Sequence, residues 1–186
     1  MPDLVEERLG LIPVLAEKSA RGFMGRTALM KYMYLLQALR KVPLGYRFSL
    51  YSYGPFDSDV LSDLGTAEDL GAVESVAVAY PGGYGYEIKP GRTAEWLQRR
   101  TAKFLNQYKT DINWVTHRFG DYTSPQLELI STVIYVDQEA ARAKERLSLS
   151  SLARRVQEIK PHFKDAQVNS FAEQLFKDKL LHSVAK

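Results

Sequence analysis

Residues 26–64, RTALMKYMYLLQALRKVPLGYRFSLYSYGPFDSDVLSDL, leave this chain few folds, because three different periodicities follow one another within a short length. From Thr27 to Arg40 the apolar positions Leu29, Met30, Tyr32, Met33, Leu35, Leu36 and Leu39 point to nearly every side of a helix, the pattern of a helix enclosed by other elements. Pro43 and Gly45 end it, and Tyr46, Phe48 and Leu50 then alternate with Arg47, Ser49 and Tyr51 at the period of a half-buried strand. Gly54-Pro55 turns the chain. Asp57 or Ser58 can cap the next helix by accepting a bond from its free amides, and Val60, Leu61 and Leu64 give that helix a buried side, with Gly65 or Gly71 as its stop. Val73, Val76 and Val78 then read as a strand, Pro81-Gly82-Gly83 as a turn, and Tyr84, Tyr86 and Ile88 as the returning strand. A core helix, a capped second helix and a two-stranded ribbon in this order predict a winged-helix-like core.

The charge on that core decides how it is read. Between Phe48 and Ile88 there is no Lys or Arg, while Asp57, Asp59, Asp63, Glu68, Asp69, Glu74 and Glu87 all fall there. Phosphate would repel a recognition helix and wing of that sign. An arrangement that usually suggests DNA binding therefore points here to a protein partner.

Ahead of the core, Leu4, Val5, Leu9, Ile12 and Ala16 follow helical spacing, but Gly10 and Pro13 interrupt it, and a kink or two short helices is expected. Behind it, Leu97, Thr101, Phe104, Tyr108, Ile112, Val115 and Phe119 step by three or four, which predicts one long helix from Thr93, roughly 40 Å in length at 1.5 Å per residue. Ser124-Pro125 signals a new start, and Leu127, Ile130, Ile134 and Ala141 make its stripe. Two more helices close the chain: one from about Ser151 to Ile159, stopped by Lys160-Pro161, and one from Asp165 with Val168, Phe171, Ala172, Leu175, Phe176 and Leu180 on one face. The expected fold is mainly α, of α+β class: a winged-helix-like core over residues 1–91, then a long helix and a C-terminal helical extension over 92–186 packed on the core, or all of it as a single domain.

At 186 residues, with 45% hydrophobic and 25% charged residues, the chain can bury a core and matches an ordinary folded protein. Its net charge of +3 gathers after Lys89, since the middle third is acidic. Without cysteine there is no disulfide framework, no thiolate nucleophile and no Cys-rich zinc site, which fits a reducing compartment. The acidic start MPDLVEERLG is unlike a secretory signal, and no apolar run approaches the ~18 residues of a membrane span. A cytoplasmic protein with no membrane contact is expected.

Signatures of chemistry are sparse. His117, His162 and His182 have no second ligand at helical spacing, so no metal site is expected. No serine or threonine sits in a glycine-flanked strand-turn-helix elbow. Gly82-Gly83-Tyr84-Gly85 lacks the dinucleotide fingerprint, and Gly25-Arg26-Thr27 and Gly91-Arg92-Thr93 lack the lysine of a phosphate-binding loop. Asp57, Asp59 and Asp63 read more readily as a solvated helix face than as a cation site. Arg92, Arg99, Arg100, Lys103 and Lys109, with Trp96 among them, form the one candidate nucleic-acid face, interrupted by Glu95 and Asp111. Six of the 11 tyrosines, Tyr46, Tyr51, Tyr53, Tyr80, Tyr84 and Tyr86, fall on the strand, the corner and the wing. Aromatics with a polar end favour protein interfaces, although half-buried strands also favour tyrosine.

Two short motifs carry a family resemblance. Thr27-Ala28-Leu29-Met30-Lys31, running on to Met33-Tyr34, and Tyr51-Ser52-Tyr53-Gly54-Pro55-Phe56 resemble the T-x-L-x-K helix and the Y-x-Y-G-P corner of the Panacea antitoxin-domain family and related YwgA-like bacterial proteins. Lys160-Pro161-His162-Phe163 echoes a lysine-proline stop in YwgA-like relatives. The resemblance covers about half the chain and does not extend to the antitoxin family beyond Ser124. It implies a bacterial or phage-borne protein whose relatives bind a toxin or hand a bound protein to a protease, with no enzyme activity, no cofactor and no catalytic residues. Lys31, on a helix otherwise buried, could snorkel to the surface.

The sequence thus predicts a non-enzymatic protein-binding module, antitoxin-like or a regulatory adaptor, whose contact surface is Tyr51, Tyr53, Asp57, Asp59, Asp63 and Tyr84. The alternative is a winged-helix DNA-binding regulator, used as a dimer, contacting nucleic acid through Arg92, Arg99, Arg100 and Lys103. A homodimer is open in either case, since an acidic middle and a basic C-terminal half can attract each other between copies.

Overall fold

The computed structural model describes residues 4–184. It is mainly helical, with two small antiparallel sheets of two strands each among the described residues. The chain divides into two compact units. One comprises the residues up to Ser49 together with Phe56–Ser124; the other comprises Leu50–Pro55 with the residues from Pro125 onward.

The first unit holds the core helix, the capped helix and the wing in the expected order. Helix α1 (Leu4–Glu17) runs unbroken through Pro13, where a kink or two short helices was expected. The missing amide of Pro13 is tolerated because the surrounding turns are clamped by burial, with Leu9, Leu11, Ile12, Leu15 and Ala16 all withdrawn from solvent. Each such aliphatic side chain contributes about 1.5–3 kcal/mol on burial. Helix α2 (Arg26–Arg40) is buried on nearly all sides and ends at Lys41, whose backbone is left-handed at φ 58° and whose N–H bonds Leu36 O. Lys31 lies fully inside this helix's packing and does not snorkel.

The segment after α2 corrects the expected strand. Val42, Leu44 and Tyr46 are buried and alternate with exposed Lys41, Pro43, Gly45 and Arg47, so the period-two pattern describes the burial correctly. No strand among the described residues partners Tyr46. The Gln37 side chain takes that role, its Nε2 donating to Tyr46 O at 2.8 Å and its Oε1 accepting from Tyr46 N–H at 3.0 Å. Regular pairing begins only at β1 (Ser49–Tyr51), which forms a short hairpin with β2 (Gly54–Phe56).

Helix α3 (Ser58–Asp69) is capped by Asp57, which accepts from Asp59 N–H at 2.9 Å. It continues past Gly65 and stops before Gly71. Strands β3 (Val73–Tyr80) and β4 (Gly83–Pro90) form the wing with one-to-one register, from Val73 opposite Pro90 to Tyr80 opposite Gly83. The base of the wing is tied to the unit by Met24, which exchanges backbone bonds with Ile88 at 2.9 and 2.8 Å.

The single long helix expected after Thr93 is instead three: α4 (Ala94–Arg100), α5 (Ala102–Gln107) and α6 (Lys109–Phe119). The first break falls at Thr101, whose hydroxyl donates to Leu97 O at 3.0 Å, a back-bond that bends helices. Thr101 is buried at the crossing with α1, where Gly10 lets the two backbones meet: a Cβ on Gly10 would stand 2.0 Å from Thr101 Oγ1. The apolar stripe is real, with Leu97, Phe104, Ile112, Val115 and Phe119 buried, but the stripe follows a bent path.

In the second unit, α7 (Ser124–Arg142) starts at the Ser-Pro signal and is buried almost continuously from Leu127 to Val136. Ser148 caps α8 (Leu149–Ile159) by accepting from Ser151 N–H at 3.1 Å, and α8 ends at Lys160 as expected. Helix α9 (Asp165–Lys177) packs on α8 and stops short of Leu180. The fully buried Asp137 of α7 then holds the following segment, accepting from the N–H groups of His182 and Ser183 at 2.8 and 2.9 Å and from the Ser183 hydroxyl at 2.6 Å. No helix among the described residues is long and apolar enough to cross a membrane.

Candidate functional site

The Tyr-Gly-Pro corner is built by the second unit's own residues. Gly54 has φ +85°, a region open to glycine, and a Cβ there would lie 2.9 Å from Thr132 Oγ1 and 3.3 Å from Glu128 O of α7. The turn can press onto α7 only as glycine. From the other side comes Lys160, at the C-terminus of α8. Its Nζ donates to Tyr51 O at 3.3 Å and to Ser52 O, and forms an ion pair with Glu128 Oε1 at 2.9 Å. The ammonium group thus donates to two main-chain carbonyls and is neutralised by one carboxylate. The side chains of Lys160 and Glu128 are 2% and 8% exposed, so the charges are removed from water and answered by each other. His162 Nε2 approaches the same Glu128 oxygen at 3.5 Å from the solvent side.

The outcome is a hairpin tip with a fixed backbone and outward side chains. Tyr51 is 67% exposed and Tyr53 70%. The two motifs that carried the resemblance beyond α2, Tyr51 to Phe56 and Lys160 to Phe163, are separated by about a hundred residues and meet here, the Lys160 to Tyr51 bond spanning 109 positions. Buried charge pairs are expensive to assemble, and this one is spent on the main chain of a surface turn.

The acidic residues do not form the single face expected of them. Asp63 is 6% exposed and faces inward. Its carboxylate pairs with Arg8 Nε at 2.8 Å and accepts from the Tyr46 hydroxyl at 2.7 Å, while the Arg8 guanidinium also stacks over the Tyr46 ring at 4.6 Å. Burial pushes the Asp63 carboxyl above its ordinary range, and Tyr46 and Arg8 pull it back in part. The Tyr46 hydroxyl is pushed well above its ordinary 10.0, by burial first and then by its bond to Asp63. Asp63 is thus a structural group of the first unit. Asp57 is half-buried and spends its oxygens on the amides of Asp59 and Arg47. Asp59 is exposed, and Tyr84 stands out on the wing at 85%. Tyr51 and Tyr53 belong to the second unit, whereas Asp57, Asp59 and Tyr84 belong to the first.

The basic candidates are exposed but largely answered. Arg99 pairs with Glu95 at 3.4 Å, and Arg100 pairs with Glu6 of α1 and lies over the Trp96 ring at 5.3 Å. Arg92 and Lys103 remain exposed. An open groove of about 420 Å³ runs between α1 and α4–α6, with Val14, Leu105 and Ile112 as its floor and Lys18 and Lys109 on its rim. No group of three or more His, Asp or Glu residues among those described is placed to hold a metal ion.

No protein-family model matches this chain, and no curated protein matches it.

Three features escaped the sequence reading: the Lys160–Glu128 pair, the Arg8–Asp63–Tyr46 cluster and Asp137. Only α7 carried a signal. From Leu127 to Val136 its one charged residue is Glu128, and a lone carboxylate inside a run otherwise free of charge and largely apolar demands a buried partner. Lys160 looked like an ordinary cation at a helix end.

Proposed function

We propose that this protein is a non-enzymatic protein-binding module, antitoxin-like or a regulatory adaptor, whose contact is the Tyr51-Ser52-Tyr53 hairpin tip. One observation carries the reading: a buried Lys160–Glu128 ion pair clamps the carbonyls of Tyr51 and Ser52 while both tyrosine side chains stand in solvent. Binding surfaces gain affinity when the contacting segment is ordered before the encounter, because the cost of fixing it is already met by folding. Tyrosine suits such a place, with a large apolar ring, a polar end and few rotamers to freeze. The resemblance of the corner to the antitoxin-domain family agrees with this use, and the lysine-proline stop echoes the YwgA-like proteins alone. The alternative, DNA binding through α4 and α5, is weakened by the carboxylates that answer Arg99 and Arg100.

The test is tagged purification from the native host of the wild-type chain beside Tyr51→Ala/Tyr53→Ala, with mass spectrometry of what accompanies each. A protein that is stoichiometric with the wild type and lost from the variant, at unchanged thermal stability, is the expected result. Equal recovery with both chains would place the contact elsewhere.

A further inference from the structure

The stretch that lacks Lys and Arg is least protected in the wing. Residues Ser75–Tyr86 carry no charge at all, and Val76, Ala77, Ala79, Tyr80 and Tyr84 are exposed. The backbone groups along its edge can be assigned. Ile88 exchanges its N–H and C=O with Met24, so both point away from β3. In an antiparallel ladder the residue opposite such a position also turns its groups outward, and the two kinds of pair alternate. Ser75 is opposite Ile88, so Ser75, Ala77 and Ala79 direct their N–H and C=O groups to the outer edge of β3. Among the described residues no backbone group meets them there. Their side chains are a hydroxymethyl and two methyls, too short to cover the edge, and the one charged group that reaches them is the Glu68 carboxylate of α3, which accepts from the Ser75 hydroxyl. Natural sheets blunt an open edge with lysine, proline, a bulge or a covering loop; the one-to-one register rules out a bulge, and Ser75–Tyr80 contains neither Lys nor Pro.

We propose that the outer edge of β3 is a dimerisation surface on which β3 of a second copy adds antiparallel, giving a four-stranded sheet in the order β4-β3-β3-β4. An edge with open N–H and C=O groups accepts an extended strand, and charge selects which one. With the two-fold axis at Ala77, Ala77 faces its own equivalent, Ser75 faces Ala79, and Glu74 faces Tyr80, so the carboxylates of Glu68 and Glu74 lie at the Ser75 end of each strand against the uncharged Ala79 and Tyr80 of the other copy, and no like charges oppose each other. Val76 and Val78 then pack across the new seam on one face. The outer edge of β4 is a poorer seam, taken at Ile88 by Met24 and weakened by Gly83, Gly85 and Pro90.

Sedimentation velocity on the full chain across a range of concentrations, with amide hydrogen exchange at the two extremes, tests this. Association that grows with concentration is expected, together with slower exchange at Ser75, Ala77 and Ala79, while Val76 and Val78, already bonded to β4, change little. Ala77→Pro removes an outward N–H without breaking a β3–β4 bond and should abolish the association; Ala79→Lys, which places a charge at the edge, should do the same should the proline disturb folding. A wild-type chain that stays monomeric throughout overturns the proposal, including the case in which the edge serves an uncharged strand of another protein. A dimer that persists in both variants overturns it as well.

Discussion

Lys160 Nζ lies 2.9 Å from Glu128 Oε1, with both side chains almost wholly withdrawn from water. Removing one member strands the other, and an uncompensated buried charge costs about 3–5 kcal/mol. Lys160→Met should therefore lower unfolding free energy by that amount in denaturant titrations. Replacing both, as Lys160→Met/Glu128→Leu, leaves no stranded charge and should recover most of the loss. It does not restore the donors to Tyr51 O and Ser52 O. The double variant should be nearly as stable as the wild type yet show faster amide exchange over Leu50–Pro55 and weaker partner binding. Full binding by the double variant would mean that fixing the hairpin is not what the ion pair is for.

Gly10 and Thr101 make the tightest designed approach in the first unit. A methyl at residue 10 would sit 2.0 Å from Thr101 Oγ1 and 2.8 Å from its Cβ, so Gly10→Ala must push α1 away from the α4–α5 junction. In a helix interior alanine is otherwise favoured over glycine by about 1 kcal/mol, which makes the sign informative. Overpacking costs about 1–3 kcal/mol, and a net loss of melting temperature is expected. A gain would show that α1 and the Thr101 turn are free to part.

How far the fold was legible follows from which forces are local. The Pro81-Gly82 turn and the Ser124-Pro125 start are settled within a few residues and stand where the sequence puts them, while for α3 the sequence left Asp57 or Ser58 as cap and Gly65 or Gly71 as stop, of which the structure uses Asp57 and Gly71. The apolar stripe from Leu97 to Phe119 was also visible, but the break at Thr101 was not, because a threonine within a helical stripe does not announce its back-bond to Leu97 and its packing against Gly10 is a contact across some ninety residues. The same holds for the strand expected at Tyr46: alternation reports burial, while pairing depends on what lies alongside, and there a glutamine side chain does. Of the site, the tyrosine tip was legible as exposed aromatic residues in a turn. Its anchor was not, since a lysine at a helix end gives no sign of a carboxylate on another helix. Asp63 misled for a related reason, as charge in a helix usually means solvent and Arg8 lies far off in sequence.

The basic face of α4 and α5 gives a quantitative expectation. With Arg99 and Arg100 engaged by Glu95 and Glu6, Arg92 and Lys103 are left to meet phosphate. Each phosphate contact contributes about −0.9 to the slope of log affinity against log salt on duplex DNA. Any contribution from this face should therefore be no steeper than about −2, and Arg92→Ala/Lys103→Ala should remove it. A wild-type slope about twice as steep, measured by fluorescence anisotropy with duplex DNA, would mean that Arg99 and Arg100 also reach phosphate and would favour the regulator over the protein-binding module.

The Tyr46–Asp63 bond makes stability depend on alkaline pH. Tyr46 keeps its proton in the folded state well above the ordinary 10.0, held by burial and by the carboxylate it donates to. In the unfolded chain the same hydroxyl ionises near pH 10, so above that pH the unfolded state binds fewer protons than the folded one, and unfolding free energy falls as pH rises. Below about pH 10 this contribution is present in full. Tyr46→Phe deletes the ionisation and also leaves Asp63 short of one donor, which should cost about 1–3 kcal/mol at neutral pH. The gap in stability between the wild type and Tyr46→Phe should then narrow as pH is raised from 9 through 11, measured by urea titration at each pH. Tyr32, whose hydroxyl is also raised by burial, loosens both proteins equally and drops out of the difference. A gap that stays constant across that range would mean that Tyr46 ionises as readily in the fold as out of it, and that the Arg8–Asp63–Tyr46 cluster is open to solvent.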